Sequence, residues 1–274
     1  MIPSLTASIV LYKTPKCDLH RCIDSLMLFN GLLHLYIVDN SPTDLLREEC
    51  LCDIPYEYIH LPSNPGFGSA HNIAIRKAQI LGSKYHLVLN ADISFDDDVL
   101  SPMIVYMEEH SKVGQMMPKV LSPDGGIQHL CKLVPTPSDL LFRRIFFQKT
   151  VELKNFRFEL RDSGYNKIMF VPYLSGCFML LRTSVLKEVG LFDERYFMYP
   201  EDIDLTRRIA ERYETLFFPG VKVVHKHGAA SHKSIKMFFI HAYNLTKYFN
   251  KWGWLKDPVR ERLNQKTLTQ FVKS

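Results

Sequence analysis

The chain has 274 residues, of which 46% are hydrophobic and 23% are charged, so it can bury a full core in one large or two small domains. Its formal net charge of +5 suits anionic partners such as nucleotide diphosphates, but this charge is too weak and too evenly spread to indicate nucleic acid. Six cysteines without a Cys-x-x-Cys pair argue against a zinc site and favour free thiols in a reducing compartment.

The N-terminus and the hydropathy of the chain predict a protein that is kept inside the cell. Residues 1–12 contain an apolar run, but no Lys or Arg precedes it and no small-residue cleavage site follows. No stretch approaches the roughly 20 apolar residues that span a bilayer. We therefore expect a cytoplasmic protein, with peripheral contact to the inner face of the cell membrane left open.

The first 120 residues alternate β-rich apolar runs with amphipathic runs. Strands separated by helices of this length imply right-handed crossovers and a mostly parallel sheet. This part of the chain therefore predicts a doubly wound α/β fold. Strands are expected at residues 4–12, 34–39, 56–61 and 85–90, and helices at 18–29 and 69–81.

Polar residues follow three of these predicted strands. Asp39 ends the second strand, the run Asn64-Pro65-Gly66-Phe67-Gly68 follows the third, and Asn90-Ala91-Asp92 ends the fourth. Ligands of doubly wound sheets bind beyond the carboxyl ends of the strands. These groups are therefore expected on one rim, where a ligand would lie.

Each group on this rim also has a plainer interpretation. Asp39 could accept hydrogen bonds from a base or ribose, or only close the turn before Ser41-Pro42. The two glycines of the 64–68 run could let the backbone approach an anionic ligand at a helix N-terminus, or form an ordinary loop. Asp92 could bind Mg²⁺ or Mn²⁺ through its hard carboxylate oxygens, or it could only cap the secondary-structure element that follows.

The chain between residues 96 and 226 is less regular. Its poorest periodicity lies at 129–166, which includes the basic-aromatic segment 140–147 and is interpreted as an insertion or loop region. Thr183 or Ser184 is expected to cap a short helix that ends at Gly190. The other expected elements are a helix at 96–110, a strand at 113–121, a turn at 123–126, a strand at 176–182, a helix at 201–213 and one or two strands at 215–226.

Two clusters in this second part carry candidate chemistry. Glu201 and Asp202 open the predicted helix, where carboxylates cap the helix dipole or, in a cleft, provide a general base. His225 and His227 lie at a strand end and alternate onto the same face. Two histidines beside Gly228 favour a metal or phosphate role, whereas a lone histidine is usually structural.

The last predicted helix, residues 235–252, is amphipathic. Apolar side chains recur at three- and four-residue spacing on one face, with lysines and Asn250 on the other. A helix packed on the core is the simpler interpretation. A basic, aromatic helix lying on a membrane is the alternative.

Taken in order, these segments resemble glycosyltransferase family 2, whose members have a GT-A type of nucleotide-sugar-binding fold. The resemblance covers about 230 residues, and it is closest to the branch that contains bacterial rhamnosyltransferases. The matching segments are SIVLY (8–12), IVDNS (37–41), NPGFGSAHN (64–72), LNADI (89–93), the long block at 174–209 and VVHKHGAASHKS (223–234).

The resemblance implies one GT-A domain at 1–232 and a C-terminal amphipathic helical extension at 233–274. Within the domain, 1–120 would bind the nucleotide sugar and 121–232 would hold the acceptor and the catalytic groups. Asp202 would be the catalytic base, supported by Glu201, while Asp92 and His225 would hold Mg²⁺ or Mn²⁺. The implied substrate-binding residues are Tyr12, Asp39, Asn64, Gly66, Phe67, Asn90, Gly176 and His227.

One position departs from the family pattern. Asn90 replaces the first acid of the Asp-x-Asp metal motif, which leaves Asp92 as the one carboxylate there and makes weak metal binding an open alternative. The resemblance implies an inverting transfer from a nucleotide-diphosphate sugar, with dTDP-rhamnose favoured over galactose, glucose or another hexose. The implied acceptor is a saccharide hydroxyl, with a polyprenyl-diphosphate-linked oligosaccharide fitting best.

Two other classes are weighed against this one. A nucleotidyltransferase would carry a glycine-rich basic loop after the first strand, where this chain has Tyr12-Lys13-Thr14-Pro15. A catalytically silent nucleotide-sugar-binding module would not need the set of Asp92, Asp202 and His225. The sequence therefore favours an active enzyme, and the resemblance implies a role in bacterial surface polysaccharide assembly, such as O-antigen or capsule synthesis.

Overall fold

The computed structural model describes residues 4–50, 52–141, 148–226 and 235–271. Its first part confirms the predicted alternation, because three parallel pairings join four strands around β1. Apolar side chains on these strands are buried on both faces of the sheet, as parallel sheets require. The elements are β1 (Leu5–Leu11), α1 (Lys16–Met27), β2 (Leu32–Asp39), β3 (Tyr56–His60), α2 (Phe67–Ile80) and β4 (Tyr85–Asn90).

The second part of the chain extends this sheet to the order β3-β2-β1-β4-β10-β6-β11-β5, with β8 paired to β11. β6 and β11 are parallel, whereas β10 runs antiparallel to both of its neighbours. The sheet is therefore mixed but mainly parallel. The elements added are β5 (Ile93–Ser94), α3 (Leu100–Glu109), β6 (Val113–Leu121), β8 (Met169–Phe170), β10 (Phe178–Arg182), α6 (Thr183–Val189), α7 (Glu201–Ala210) and β11 (Glu214–His225).

Helices cover both faces of the sheet, as expected for a doubly wound fold. One apolar cluster joins the sheet to α1 and α3 through residues such as Leu26 and Met103. A second cluster joins the opposite face to α2, α6 and α7 through Ile75, Val185 and Leu205. The sheet is thus the middle layer of the fold, between two layers of helices. Loops follow the ends of its strands.

The region 129–166 contains more structure than the sequence indicated. Its short elements are β7 (Cys131–Lys132), α4 (Pro137–Leu141) and α5 (Gln148–Phe158), and β7 pairs with β9 (Tyr173–Leu174). The buried Tyr165 hydroxyl binds the backbone of Cys131 and Glu159. Elements this short, held by tertiary contacts, are too brief to show a regular hydrophobic period in the sequence. Most of the segment 140–147 lies outside the described residues.

Two local predictions were wrong. Neither Thr183 nor Ser184 caps α6, because Thr183 lies inside the helix and its hydroxyl donates to the carbonyls of Ser83 and Lys84 instead. The helix expected from residue 96 begins at Leu100, where the Asp98 carboxylate accepts the first N–H groups.

The C-terminal part consists of α8 (Ile235–Trp252) and α9 (Pro258–Thr269). The bounds of α8 match the prediction, and Leu245, Tyr248 and Phe249 are buried against the rest of the protein. Phe239 was expected on the packed face but is 65% exposed. Across the described residues, no helix is both long enough and apolar enough to cross a membrane.

Buried ionic contacts join α8 and α9 to α7. The guanidinium of Arg207 donates to both carboxylate oxygens of Asp257, at 2.6 and 2.5 Å, and lies 4.0 Å from the centre of the Trp252 ring. Asp204 accepts hydrogen bonds from the Lys251 ammonium and the Trp252 indole. The helix that begins with Glu201 and Asp202 is therefore fastened to the C-terminal helices.

We expect Arg207→Leu to lower the free energy of unfolding by about 3–5 kcal/mol, because it removes the bidentate charged partner of the buried Asp257 carboxylate, while the Arg260 guanidinium lies farther away at 3.8 Å. Urea denaturation would measure this loss. The control is Arg47→Leu, which breaks an exposed pair with Asp44 and is expected to change stability little. Equal stability of the two variants would contradict the importance of the buried contact.

Candidate active site

Asp39 is fully buried at the end of β2. One carboxylate oxygen accepts the N–H of Ser41 at 2.8 Å, and the other accepts the hydroxyl of Tyr58. Burial is the main reason that the pKa of Tyr58 is raised, and the bond to Asp39 adds to it. The carboxylate thus closes the turn before Ser41, and a nucleotide could reach it only after a side chain moves.

Tyr12 lies beside this turn, at the end of the neighbouring strand β1. Its side chain is 51% exposed, and the next residue, Lys13, donates its N–H to the Ser41 hydroxyl at 2.8 Å. The ends of β1 and β2 are thereby tied together. An exposed aromatic ring at this edge offers a surface on which a base can stack.

The two glycines of the 64–68 run allow close packing against other parts of the protein. A Cβ atom on Gly66, whose φ is +99°, would lie 2.2 Å from the carbonyl oxygen of Phe197. A Cβ on Gly68 would lie 2.9 Å from the Cβ of Phe192. Asn64 adopts a positive φ of 47° just before this contact. The run is therefore packed against the segment that leads to α7.

Asp92 and His225 face each other across the ends of two strands. The Nε2 atom of His225 lies 3.2 Å from an Asp92 oxygen, and the Lys226 N–H donates to the Asp92 carbonyl at 3.0 Å. His225 is buried, whereas Asp92 is partly exposed. The two side chains therefore lie beside each other, and their predicted role in holding a metal stays a prediction.

Asp202 accepts two backbone hydrogen bonds at the start of α7. The N–H of Gly176 donates to one oxygen at 3.0 Å and the N–H of Ile203 to the other at 2.8 Å. A Cβ on Gly176 would lie 3.3 Å from the Asp202 Cβ and 3.4 Å from the Phe67 ring. Only a glycine leaves this spacing undisturbed, so Gly176 and Phe67 help to place the carboxylate.

Glu201 and Asp202 are neighbouring acids with different surroundings. Burial raises the pKa of Glu201 far above its usual value, and the charge of Asp202 raises it further. No hydrogen bond from the described protein groups reaches its Oε2 atom. Burial also raises the pKa of Asp202, against the opposing effects of the Gly176 and Ile203 N–H groups and of Lys132. Glu201 is thus held neutral beside a carboxylate with raised basicity.

A short backbone path connects the Asp92 side of the site to Asp202. The N–H of Asn90, two residues before Asp92, donates to the Cys177 carbonyl at 2.9 Å, and the preceding Gly176 binds Asp202. Burial raises the pKa of the Cys177 thiol to about 12, and the charges of both Asp92 and Asp202 add to the shift. The thiol therefore lies near both carboxylates and remains protonated.

Several residues at this edge were missed by the sequence analysis. Gln128 binds His225, Lys132 acts electrostatically on Asp202, and Tyr58 binds Asp39. None belongs to a recognisable motif, and each reaches the site from another part of the fold. His227, which was predicted to bind substrate, lies outside the described residues.

Asp92 and His225 fit a divalent metal that is held only in part by protein. Mg²⁺ is commonly bound through one or two carboxylates together with substrate phosphates and water. Here one carboxylate oxygen and one imidazole nitrogen converge, which is a usable pair for Mg²⁺ or Mn²⁺. Among the described residues, no group of three or more His, Cys, Asp or Glu side chains forms a complete site.

Comparison with known proteins assigns this chain to a family. The sequence model of Glycosyl transferase family 2 matches residues 7–190. The chain belongs to glycosyltransferase family 2. The match includes β1 to α6 and ends before Glu201 and Asp202.

Curated relatives include rhamnosyltransferases. The N-acetylglucosaminyl-diphospho-decaprenol L-rhamnosyltransferase of Mycobacterium tuberculosis is 24% identical over 272 residues, which cover 90% of this chain and 85% of the relative. The rhamnosyltransferase WbbL of Escherichia coli is 26% identical over 215 residues, covering 76% of this chain and 77% of WbbL. The sequence expectation of a rhamnosyltransferase-like member of the family is confirmed.

Solved structures of GT-A enzymes share the fold. The mannosyltransferase PcManGT of Pyrobaculum calidifontis, in complex with GDP-Man and Mn²⁺, aligns with a TM-score of 0.56 and 15% identity over 100% of this chain and 77% of its own. GalNAc-T7 with UDP, GalNAc and Mn²⁺ aligns with a TM-score of 0.61 and 16% identity over 82% of this chain. The chain spans 43% of the length of that structure. At these identities the likeness concerns the fold.

The raised pKa of Glu201 predicts how stability of this glycosyltransferase depends on pH. In the unfolded chain a Glu carboxyl has a pKa of about 4.3, and below that pH its contribution to stability is fully present. As pH rises toward the higher pKa of the folded state, the unfolded chain releases this proton first and the contribution is lost. We expect Glu201→Gln to lose less stability than wild type between pH 5 and pH 8, as measured by urea denaturation. The control is Glu211→Gln, an exposed site just after α7. Parallel profiles for Glu201→Gln and wild type would contradict a buried neutral acid.

Proposed function

We propose that this glycosyltransferase moves a sugar from a nucleotide-diphosphate donor to a saccharide hydroxyl with inversion at the anomeric carbon. The observation that carries the proposal is the backbone connection between Asp202 on one side and Asp92 with His225 on the other. Asp202 is held by two backbone N–H groups, and the path through Gly176, Cys177 and Asn90 leads from it to Asp92 and His225. This connection would hold the base, Asp202, at a fixed distance from the residues proposed to bind the diphosphate, Asp92 and His225.

In the proposed reaction Asp202 accepts the proton of the acceptor hydroxyl. The acceptor oxygen forms a bond to the anomeric carbon while the bond from that carbon to the diphosphate oxygen breaks, and the nucleoside diphosphate leaves. The neutral Glu201 adds no second negative charge beside the base. Asp92 and His225 would hold Mg²⁺ or Mn²⁺, which, when bound, offsets charge on the diphosphate. Asp202 acts as a base above its raised pKa.

The donor is proposed to lie along the ends of β1, β2 and β4. Tyr12 would stack on the base, Asn90 would face the diphosphate, and Asn64 would line the same edge. The buried Asp39 would shape this pocket through Ser41 and Tyr58. Gly66 and Phe67 would act through their packing against the 192–197 segment. His227 remains a proposed substrate contact on the strength of the resemblance.

Rhamnose carried by dTDP is the favoured donor sugar, with galactose, glucose or another hexose as alternatives. Two relatives are named as rhamnosyltransferases and one, Agl10 of Haloferax volcanii, as a hexosyltransferase. The M. tuberculosis relative is named for an acceptor joined through a diphosphate to decaprenol. By analogy, a polyprenyl-diphosphate-linked oligosaccharide of O-antigen or capsule synthesis is the proposed acceptor, used at the cytoplasmic face of the membrane.

A lipid-linked acceptor would place the enzyme on a bilayer, and the outer face of α8 suits that contact. Phe239 and Tyr243 lie one turn apart and are 65% and 64% exposed, and Leu255 just after the helix is 86% exposed. Lys247 lies against the Tyr243 ring, at 4.3 Å from its centre. Aromatic and basic side chains together are typical of surfaces that rest on anionic lipid. We propose that this face touches the membrane.

The same helix joins that face to the catalytic residues. The Asn244 amide donates to the Met198 carbonyl at 2.8 Å, and the ring of His241 lies 4.8 Å from that of Tyr199. Met198 and Tyr199 directly precede the cis-linked Pro200 and the acidic pair. A membrane beneath α8 would therefore lie close to the side of the site from which a lipid-linked acceptor would enter.

The function is tested by screening nucleotide sugars for binding and turnover, with and without Mn²⁺, in wild type and Asp202→Asn. We expect metal-aided turnover of one donor by wild type. Asp202→Asn is expected to bind that donor normally but to turn over about 10²–10⁴-fold more slowly, since it lacks the base. Normal turnover by the variant would refute the role of Asp202. Donor binding without turnover by wild type would favour a catalytically silent module.

Membrane contact is tested by sedimentation with vesicles of phosphatidylcholine, with and without phosphatidylglycerol. Wild type is expected to sediment with the anionic vesicles, and Phe239→Ser/Tyr243→Ser/Leu255→Ser is expected to lose most of this binding. The control is Leu45→Ser/Ile80→Ser/Val105→Ser, which changes three exposed apolar residues elsewhere on the surface. Equal binding by the two triple variants, or no sedimentation of wild type, would contradict the proposed contact.

A further inference from the structure

Gln128 reaches the proposed metal pair, Asp92 and His225, from a tight turn. The chain leaves β6, turns at residues 122–126 and comes back, so that the N–H of Gln128 donates to the Val120 carbonyl at 2.9 Å. Gly125, with φ +85°, permits the turn. Because β6 is paired in parallel with β11, the returning chain places Gln128 beside His225, the last residue of β11.

The side chain of Gln128 makes two hydrogen bonds to His225. Its Nε2 atom donates to the backbone carbonyl of His225 at 2.7 Å, and its Oε1 atom lies 2.9 Å from the ring Nδ1 atom. The carbonyl oxygen can only accept, so the amide NH₂ must face it and the amide oxygen must face the ring. The orientation of the amide therefore follows from its partners.

This orientation decides the tautomer of His225. An amide oxygen only accepts, so Nδ1 must carry a hydrogen and donate to it. The other ring nitrogen, Nε2, is the one that lies 3.2 Å from the Asp92 carboxylate. Gln128 thus directs the nitrogen that can bind a metal toward the carboxylate that would share it.

We propose that Gln128 is a positioning residue for the metal site: its amide fixes the Nδ1–H tautomer and the ring orientation of His225, which presents Nε2 to the metal beside Asp92. Hydrogen-bond partners of metal-bound histidines commonly have this effect, and their loss typically weakens metal binding about 10–100-fold. The inference rests on the proposed metal-assisted transfer. It adds to that function a residue from outside every recognised motif.

Gln128 could instead be a purely structural link between the turn and β11. Two substitutions separate these roles. Gln128→Glu keeps an oxygen that accepts from Nδ1–H but loses the N–H donor to the His225 carbonyl. Gln128→Met removes both bonds at similar size. A structural role would make both variants defective, whereas a positioning role requires only the acceptor for Nδ1.

The experiment uses the full chain and two measurements that need no sugar donor. Long-range ¹H–¹⁵N spectra of protein labelled in its histidine rings, with the His225 signals assigned by comparison with His225→Ala, report which nitrogen carries the proton. Water-proton relaxation during titration with Mn²⁺ alone reports the metal affinity. Gln79→Met, the same substitution on α2, is the matched control.

We expect wild type, Gln79→Met and Gln128→Glu to carry the proton on Nδ1 and to bind Mn²⁺ within a few-fold of one another. Gln128→Met is expected to lose the preference for Nδ1–H and to bind Mn²⁺ about 10–100-fold more weakly. If Gln128→Met keeps both the tautomer and the affinity, the inference is overturned while the metal site stands. If wild type does not bind Mn²⁺ at all, the metal part of the proposed function is overturned as well.

Discussion

The hydrogen bond from the Gly176 N–H to the Asp202 carboxylate connects the main parts of the site. It crosses from the loop before β10 to the first turn of α7, and β10 lies next to β4, whose end leads to Asp92. A Cβ atom at position 176 would press on the Asp202 side chain at 3.3 Å and touch the Phe67 ring at 3.4 Å. The position of Asp202, the proposed base, relative to Asp92 and His225 therefore depends on this close backbone contact.

Close packing of the two glycines in the 64–68 run adds to the same constraint. Gly66 contacts Phe197, and Gly68 contacts Phe192, so the loop after β3 is fitted to the segment that enters α7. The N–H of Phe67 also donates to the Phe197 carbonyl at 3.0 Å. The loop after β3 and the segment that enters α7 are joined through these contacts, so the relative position of the two depends on the small size of both glycines.

The C-terminal helices pack against α7, the helix that carries the proposed base. α7 carries Glu201 and Asp202 in its first turn, Asp204 and Arg207 further along, and the last two bind groups on α8 and after it. The sequence analysis divided the chain at residue 232, but the contacts across this division are buried ion pairs and an aromatic ring. Through these buried charges the C-terminal helices help to hold α7, and with it Asp202, in place.

Much of this protein could be predicted from its sequence alone. Local periodicity predicts the alternation of strands and helices in residues 4–90 and the bounds of α8. Residue chemistry identifies the polar groups at the strand ends. Both signals lie in residues that are close together in the sequence. The pairing of Asp92 with His225 was also predicted, through the family resemblance. Tertiary structure alone decided that Thr183 binds carbonyls near β4 instead of capping a helix, that Gly66 and Gly68 pack against phenylalanines, and that Gln128 holds His225. These roles depend on contacts between residues far apart in the chain, and no local pattern specifies which distant atoms will meet.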